Sequence, residues 1–116
     1  MDNRKDPRFS VQFRSSFSST NLTSGIGLLS DLSSHGCRIF SSTPVKSGTT
    51  LELRIEVAES EPPLQVKQAI VRWARDNNFG VEFSNLAPDD WARLQHTVKE
   101  LERQPYQRER QDETSA

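Results

Sequence analysis

The chain has 116 residues, of which 33% are hydrophobic, and a formal net charge of −1. This length is the size of one domain, so we expect a single folded unit with a modest core. The near-neutral charge excludes an overall basic field of the kind that drives unspecific nucleic-acid binding. Cys37 is the only cysteine and there are two histidines, so we expect no internal disulfide, no metal and no cofactor.

The sequence contains no membrane segment that we could identify. A helix crossing a bilayer needs about 20 consecutive apolar residues, and no stretch approaches that length. The N-terminus, MDNRKDPRF, has charges but no apolar segment after them, unlike a secretion signal. We therefore expect a cytoplasmic protein without membrane insertion.

Three strands are predicted in the first part of the chain. Residues 1–8 are charged and are predicted to form a flexible N-terminal arm. Apolar and polar residues alternate over 9–13, as in a half-buried strand. Apolar clusters at 26–29 and 37–40 predict the next two strands, and the segment DLSSHG (31–36) is interpreted as their connection.

Three more strands follow. Leucine, isoleucine and valine alternate with charged residues over 51–57, the period-two pattern of a strand with one wet face. A fifth strand is predicted over 66–74 and a sixth over 79–83, joined by a hairpin turn at 76–78 (DNN), whose residues tolerate positive φ. Six strands with little room for crossover helices predict an all-β fold, a six-stranded antiparallel barrel that is closed or nearly closed.

One amphipathic helix is predicted after Pro88. Trp91, Leu94, Val98 and Leu101 recur on one face. This stripe is expected to pack over the barrel mouth, although pairing with another chain would use the same residues. The domain is predicted to span 9–103, and the charged residues 104–116 to form a disordered tail.

An enzyme is not predicted. Asp31, Ser33 and His35 are the residue types of a nucleophilic triad, but alternate residues on one short turn do not normally achieve the required contacts. His96 is expected to be an exposed helix residue. No glycine-rich phosphate loop is present.

Two segments carry candidate ligand-binding residues. Arg4 and Arg8 form an RxxxR pair in the arm, and guanidinium groups can hold phosphates or the O6/N7 edge of guanine. In DLSSHG, Asp31 could accept hydrogen bonds from guanine, Ser33 could donate and accept, and Gly36 could adopt positive φ. Taken alone, DLSSHG is better explained as an Asx or ST turn that joins two strands.

RxxxR directly before the first strand, followed by DxSxxG between strands, resembles the PilZ domain, the bacterial receptor module for cyclic di-GMP. The resemblance covers roughly residues 3–103 and includes the hairpin VRWARDNNFGVEF and the terminal helix. It implies a six-stranded barrel with a C-terminal helix and cyclic di-GMP bound outside it. It also implies that Arg4 and Arg8 contact guanine and phosphate, that Asp31 and Ser33 hold a guanine edge, and that Gly36 shapes the turn.

The resemblance leaves some positions open. The residue before the arginine pair is often basic in such proteins, but here it is Asn3. Trp73 could stack on a base or pack in the core, because the alternation around it does not fix its face. Lys5 and Arg75 could make secondary phosphate contacts, whereas Arg38 and Arg72 are expected to be ordinary solvent-facing strand residues.

The leading hypothesis is a cyclic di-GMP receptor or adaptor that orders its arm on binding and passes the signal to an effector protein, in processes such as motility or biofilm formation. The alternative is a scaffold with the same fold that binds nucleotide weakly or not at all. A third possibility, a barrel that binds single-stranded nucleic acid, is disfavoured by the near-neutral charge.

Overall fold

The alternation of apolar and polar residues forms strands wherever one face can be buried. The computed structural model describes residues 7–19 and 24–103, so the predictions for Arg4 and for the tail fall outside the described residues. Its elements in chain order are β1 (Phe9–Ser18), β2 (Ser24–Leu32), β3 (Gly36–Phe40), β4 (Thr50–Glu56), β5 (Leu64–Arg75), β6 (Asn78–Asn85) and α1 (Pro88–Arg103). The six predicted strands and the helix are all present.

The strands form a closed antiparallel barrel in the order β1-β2-β3-β6-β5-β4, with β1 and β4 paired to complete the ring. The predicted fold class is therefore confirmed. In this ring β4 lies opposite β3. Strand closure leaves no barrel edge open to pairing with another chain.

Inward-facing side chains fill the barrel. Leu29, Ile39, Leu53 and Val66 are fully buried, each from a different strand. Phe17 and Phe79 meet edge to face with ring centroids 5.1 Å apart, an arrangement that aromatic rings favour. The core therefore lies along the barrel axis, which leaves the outer face available for binding.

The hairpin between β5 and β6 is the tight turn that the sequence predicts. Asp76 and Asn77 have φ of 55° and 65°, and they connect Arg75 directly to Asn78. Two successive residues with positive φ match the right-handed twist of the flanking strands. The turn fixes the register of the two strands that carry one side of the site.

The helix packs on its own barrel. Leu94 and Val98 are buried, and Leu101 packs against the core, which supports the intramolecular reading of the apolar stripe. Trp91 departs from that reading, since it is 39% exposed and its ring lies 6.1 Å from that of His35. No helix in the described part of the chain is long and apolar enough to cross a membrane.

The connection between β2 and β3 is shorter than predicted. Asp31 and Leu32 belong to β2, where they pair with Arg38 and Cys37 of β3. Only the three residues 33–35 form the turn. The interpretation of all of DLSSHG as a connection is therefore wrong, because Leu32 is fully buried in the core and carries β2 onward.

Candidate functional site

An open cavity of about 580 Å³ lies on the outer face of the barrel, across β2, β3, β6 and β5. Its lining includes Arg8, Asp31, Ser33, Arg38, Arg72 and Trp73. Cations, a carboxylate and an aromatic ring thus meet in one place. Five of the six predicted site residues, all except Arg4, line this cavity or its turn.

Asp31 lies between two arginines. Its Oδ1 accepts a hydrogen bond of 2.8 Å from Arg8 Nη1, and its Oδ2 lies 3.4 Å from Arg38 Nε. Arg38 Nε also donates to the Ser30 hydroxyl at 3.2 Å. The carboxylate side chain is only 18% exposed. Arg8 and Arg38 of β3 therefore meet at this carboxylate, although Asp31 is 23 positions away from Arg8 in the chain.

The outward direction of Asp31 depends on a β-bulge. The ladder between β2 and β3 shifts register between Leu29 and Asp31, so Ser30 is an extra residue in β2. A bulge re-aims the side chains that follow it. Here it allows Leu29 and Leu32 to face the core while Asp31, between them, faces the cavity.

Ser33 is committed to the turn. It is 3% exposed, its Oγ accepts from the amide N–H groups of His35 (3.3 Å) and Gly36 (3.2 Å), and it donates to the Gly36 carbonyl at 3.3 Å. These contacts make an ST turn, the reading that the sequence left open. For Ser33 the structure therefore shows a turn-forming role.

Gly36 also serves the fold. A Cβ at this position would collide with the carbonyl oxygen of Val81 on β6, so only glycine lets β3 and β6 approach this closely. The expected positive φ is wrong, since the only glycine in the described residues with positive φ is Gly48.

Trp73 lies outside the barrel core. It is 39% exposed, and its indole covers Gly80 of β6 so closely that a Cβ there would lie 2.6 Å from Cε2. Because Gly80 has no side chain, the indole of Trp73 can pack directly against it. The core reading of Trp73 is excluded, and the indole presents an aromatic surface beside the cavity.

Arg38 and Arg72 are exposed, as expected, but both line the cavity. Arg72 is paired with Glu82, whose Oε1 lies 2.6 Å from Nη2. Sequence reasoning omitted both arginines because a solvent-facing strand position gives no sign of which other strands lie beside it. The order of strands in the barrel supplies that information.

The charge of Asp31 also affects the pKa of the buried Cys37 thiol on β3. Burial raises the pKa of Cys37 far above its ordinary value, the charge of Asp31 raises it further, and Arg8 opposes this effect. The thiol therefore stays protonated while it is buried. Among residues 7–19 and 24–103, no group of three or more histidine, cysteine or acidic side chains could hold a metal ion.

Comparison with known proteins agrees with this architecture. Residues 2–100 match the PilZ domain family. No curated protein matched the chain in sequence. Among solved structures, the PilZ domain of YcgR from Escherichia coli with c-di-GMP superposes with a TM-score of 0.73 at 19% identity, covering 96% of this chain and 98% of that one.

Two longer proteins are also similar. E. coli YcgR in complex with c-di-GMP gives a TM-score of 0.75 at 17% identity, covering 98% of this chain and 51% of YcgR. The complex of K. pneumonia MrkH with c-di-GMP gives 0.74 at 16% identity, covering 93% of this chain and 55% of MrkH. The chain thus spans about half the length of these proteins. The match over residues 2–100, together with the closed barrel and its terminal helix, establishes that this chain belongs to the PilZ domain family.

Proposed function

We propose that the chain is a non-enzymatic receptor for cyclic di-GMP that acts as an adaptor. The observation that carries this proposal is the convergence of Arg8, Asp31 and Trp73 on one outer cavity. Membership of the PilZ family supports it, as do the similar structures of YcgR and MrkH, which hold c-di-GMP.

The chemistry of the cavity suits a guanine dinucleotide. Asp31 can accept hydrogen bonds from the N1–H and 2-amino groups of guanine, because an ionised carboxylate is a pure acceptor. The indole of Trp73 offers a flat surface on which a base can stack. Arg8 and Arg38 are the cations for a phosphate or for the guanine O6/N7 edge. Ser33 and Gly36 maintain the turn that places Asp31.

Binding of a guanine at Asp31 would compete with contacts inside the protein. Both oxygens of Asp31 lie close to arginines, at 2.8 Å and 3.4 Å. A guanine in a two-point contact with the carboxylate would share these two oxygens with Arg8 and Arg38. We propose that Arg8 moves from Asp31 to a phosphate, and that the arm of residues 1–8, including Arg4, becomes ordered over the ligand as it does so.

Titration calorimetry of the unaltered chain tests the proposal. Cyclic di-GMP should give saturable heat at micromolar concentrations, and cyclic di-AMP should not, because adenine lacks the N1–H and 2-amino donors that Asp31 would accept. Arg8→Ala should weaken binding, whereas Arg54→Ala, which removes the same charge from β4 on the opposite side of the barrel, should not. No heat with cyclic di-GMP at tens of micromolar would refute the receptor function.

The scaffold alternative is favoured by one separate observation. Leu28 of β2 and Phe40 of β3 are direct cross-strand neighbours, and both are substantially exposed, as is Ile26, which is 77% exposed. Neighbouring apolar side chains that are exposed in this way can form a contact with another protein. If the calorimetry gives no heat with cyclic di-GMP, the scaffold function predicts that Phe40→Ser abolishes binding to the partner protein. Arg8→Ala should leave that binding intact.

A further inference from the structure

A second bulge, in β5, brings Trp73 to the same face of the sheet as Arg72. The ladder with β6 pairs Val71 with Val81 and Trp73 with Gly80, so Arg72 has no partner of its own and is the inserted residue. Consecutive strand residues normally face opposite sides of a sheet. Here Val71 is buried, while Arg72 and Trp73 are both exposed and both line the cavity. The bulge therefore puts a guanidinium and an indole on the same face.

The guanidinium of Arg72 is held from one side only. Its Nε donates to Glu82 Oε1 at 2.7 Å, and its Nη2 lies 2.6 Å from the same oxygen. Within the described part of the chain, Glu82 is its sole side-chain partner. An arginine has five N–H donors, and this contact uses two of them. The edge formed by Nη1 and Nη2 keeps three donors for another acceptor, which is the edge that binds a phosphate in a two-point contact.

The position of Arg72 complements that of Arg8. Arg8 reaches the cavity at β2 through Asp31, whereas Arg72 reaches it from β5, and β3 and β6 lie between them. A cyclic dinucleotide carries two phosphates on opposite sides of its ring. Cations at the two ends of one cavity can therefore each meet a different phosphate.

We infer that Arg72 is a phosphate-binding residue of this site, held by Glu82 so that it contacts the phosphate farther from Arg8. This inference rests on the proposed function and adds to it a residue that neither sequence motif includes. It also assigns a function to the bulge, since in a regular strand Trp73 would lie on the same face as the buried Val71 and away from Arg72.

Calorimetry with cyclic di-GMP on three variants tests the inference. Arg72→Ala should lower the affinity by about 10- to 100-fold, the range for loss of a charge-assisted contact. Arg72→Lys keeps the charge but lacks the fork, so it should recover only part of that loss. Arg75→Ala is the matched control, because Arg75 lies on the same strand but lines a different cavity, and its effect should stay below about threefold, as expected of a screened charge. Thermal unfolding of each variant checks that the barrel is intact.

The outcomes separate the two proposals. If the unaltered protein gives no heat with cyclic di-GMP, the receptor function is wrong and this inference fails with it. If the unaltered protein binds and Arg72→Ala weakens binding no more than Arg75→Ala does, only the role of Arg72 is overturned. An Arg72→Lys variant that binds as tightly as the unaltered protein would overturn the two-point contact, because a single positive charge would then account for the effect.

Discussion

Replacing Asp31 by asparagine should separate binding from folding. The change preserves the shape of the side chain and removes the charge that Arg8 and Arg38 share, at 2.8 Å and 3.4 Å. Both arginine side chains are partly exposed, at 38% and 47%, and ion pairs of this type contribute about 0.2–1 kcal/mol each. The free energy of unfolding should therefore fall by less than about 2 kcal/mol.

The effect of the same substitution on binding should be larger. An amide offers one acceptor oxygen, and its NH₂ group would face the donors of guanine. Loss of a two-point contact with a base edge costs about 1–3 kcal/mol, which corresponds to roughly 5- to 150-fold in affinity. We expect the upper half of this range, because the amide also leaves guanine donors without an acceptor.

Calorimetry and urea unfolding of Asp31→Asn measure the two effects independently. Glu52→Gln is the control, because it removes a carboxylate in the same way from β4, opposite β3 in the barrel. It should change neither affinity nor stability appreciably. An affinity for cyclic di-GMP within twofold of the unaltered protein would refute the assigned role of Asp31. A stability loss well above 2 kcal/mol would show that the ion pairs are structural.

Three further substitutions probe neighbouring features. Gly80→Ala should displace the indole of Trp73 from Gly80 and shift the tryptophan fluorescence to the red. It should also weaken ligand binding by about 1–3 kcal/mol, the contribution of base stacking. Unchanged emission and affinity would contradict the assigned contact. Ser33→Ala should lower the free energy of unfolding by about 1–3 kcal/mol in urea, since two amide N–H groups lose their acceptor. An unchanged free energy of unfolding would show that water replaces the hydroxyl. Arg93 of α1 donates to the Pro62 carbonyl at 2.6 Å, so Arg93→Ala should lower the free energy of unfolding by about 1 kcal/mol in the same assay. The affinity for cyclic di-GMP should not change. A loss of affinity would mean that the packing of α1 against the barrel affects the site.

Local patterns in the sequence predict most of the barrel. Alternation over residues 51–57 needs only one wet face and one dry face to specify a strand, and β4 follows it without interruption. The hairpin at Asp76 and Asn77 is equally local, since tolerance of positive φ is a property of the residue type. The same holds for the helix, which begins at Pro88 as its proline and acidic first turn indicate.

The details of the site depend on relations between distant strands. The bulges that turn Asp31 and Trp73 outward are shifts of register, and register is not encoded in either strand alone. Gly36 looks like a turn glycine in the sequence, whereas its actual constraint is the carbonyl of Val81 on β6. Sequence motifs predict residues that line the candidate cavity, and pairing across the barrel determines which other side chains surround it.

The buried thiol gives this barrel a built-in reporter of its own opening. Cys37 is the only cysteine in the chain and is fully buried on β3, beneath the carboxylate of Asp31. A thiol reagent can therefore react only with molecules whose barrel has opened. The rate of alkylation measures how often the strands of the barrel separate at Cys37. A ligand that binds only the closed form reduces that rate in proportion to its occupancy, by a factor of 1 + [L]/Kd. Affinities can thus be read from a single chemical modification, without any label added to the protein.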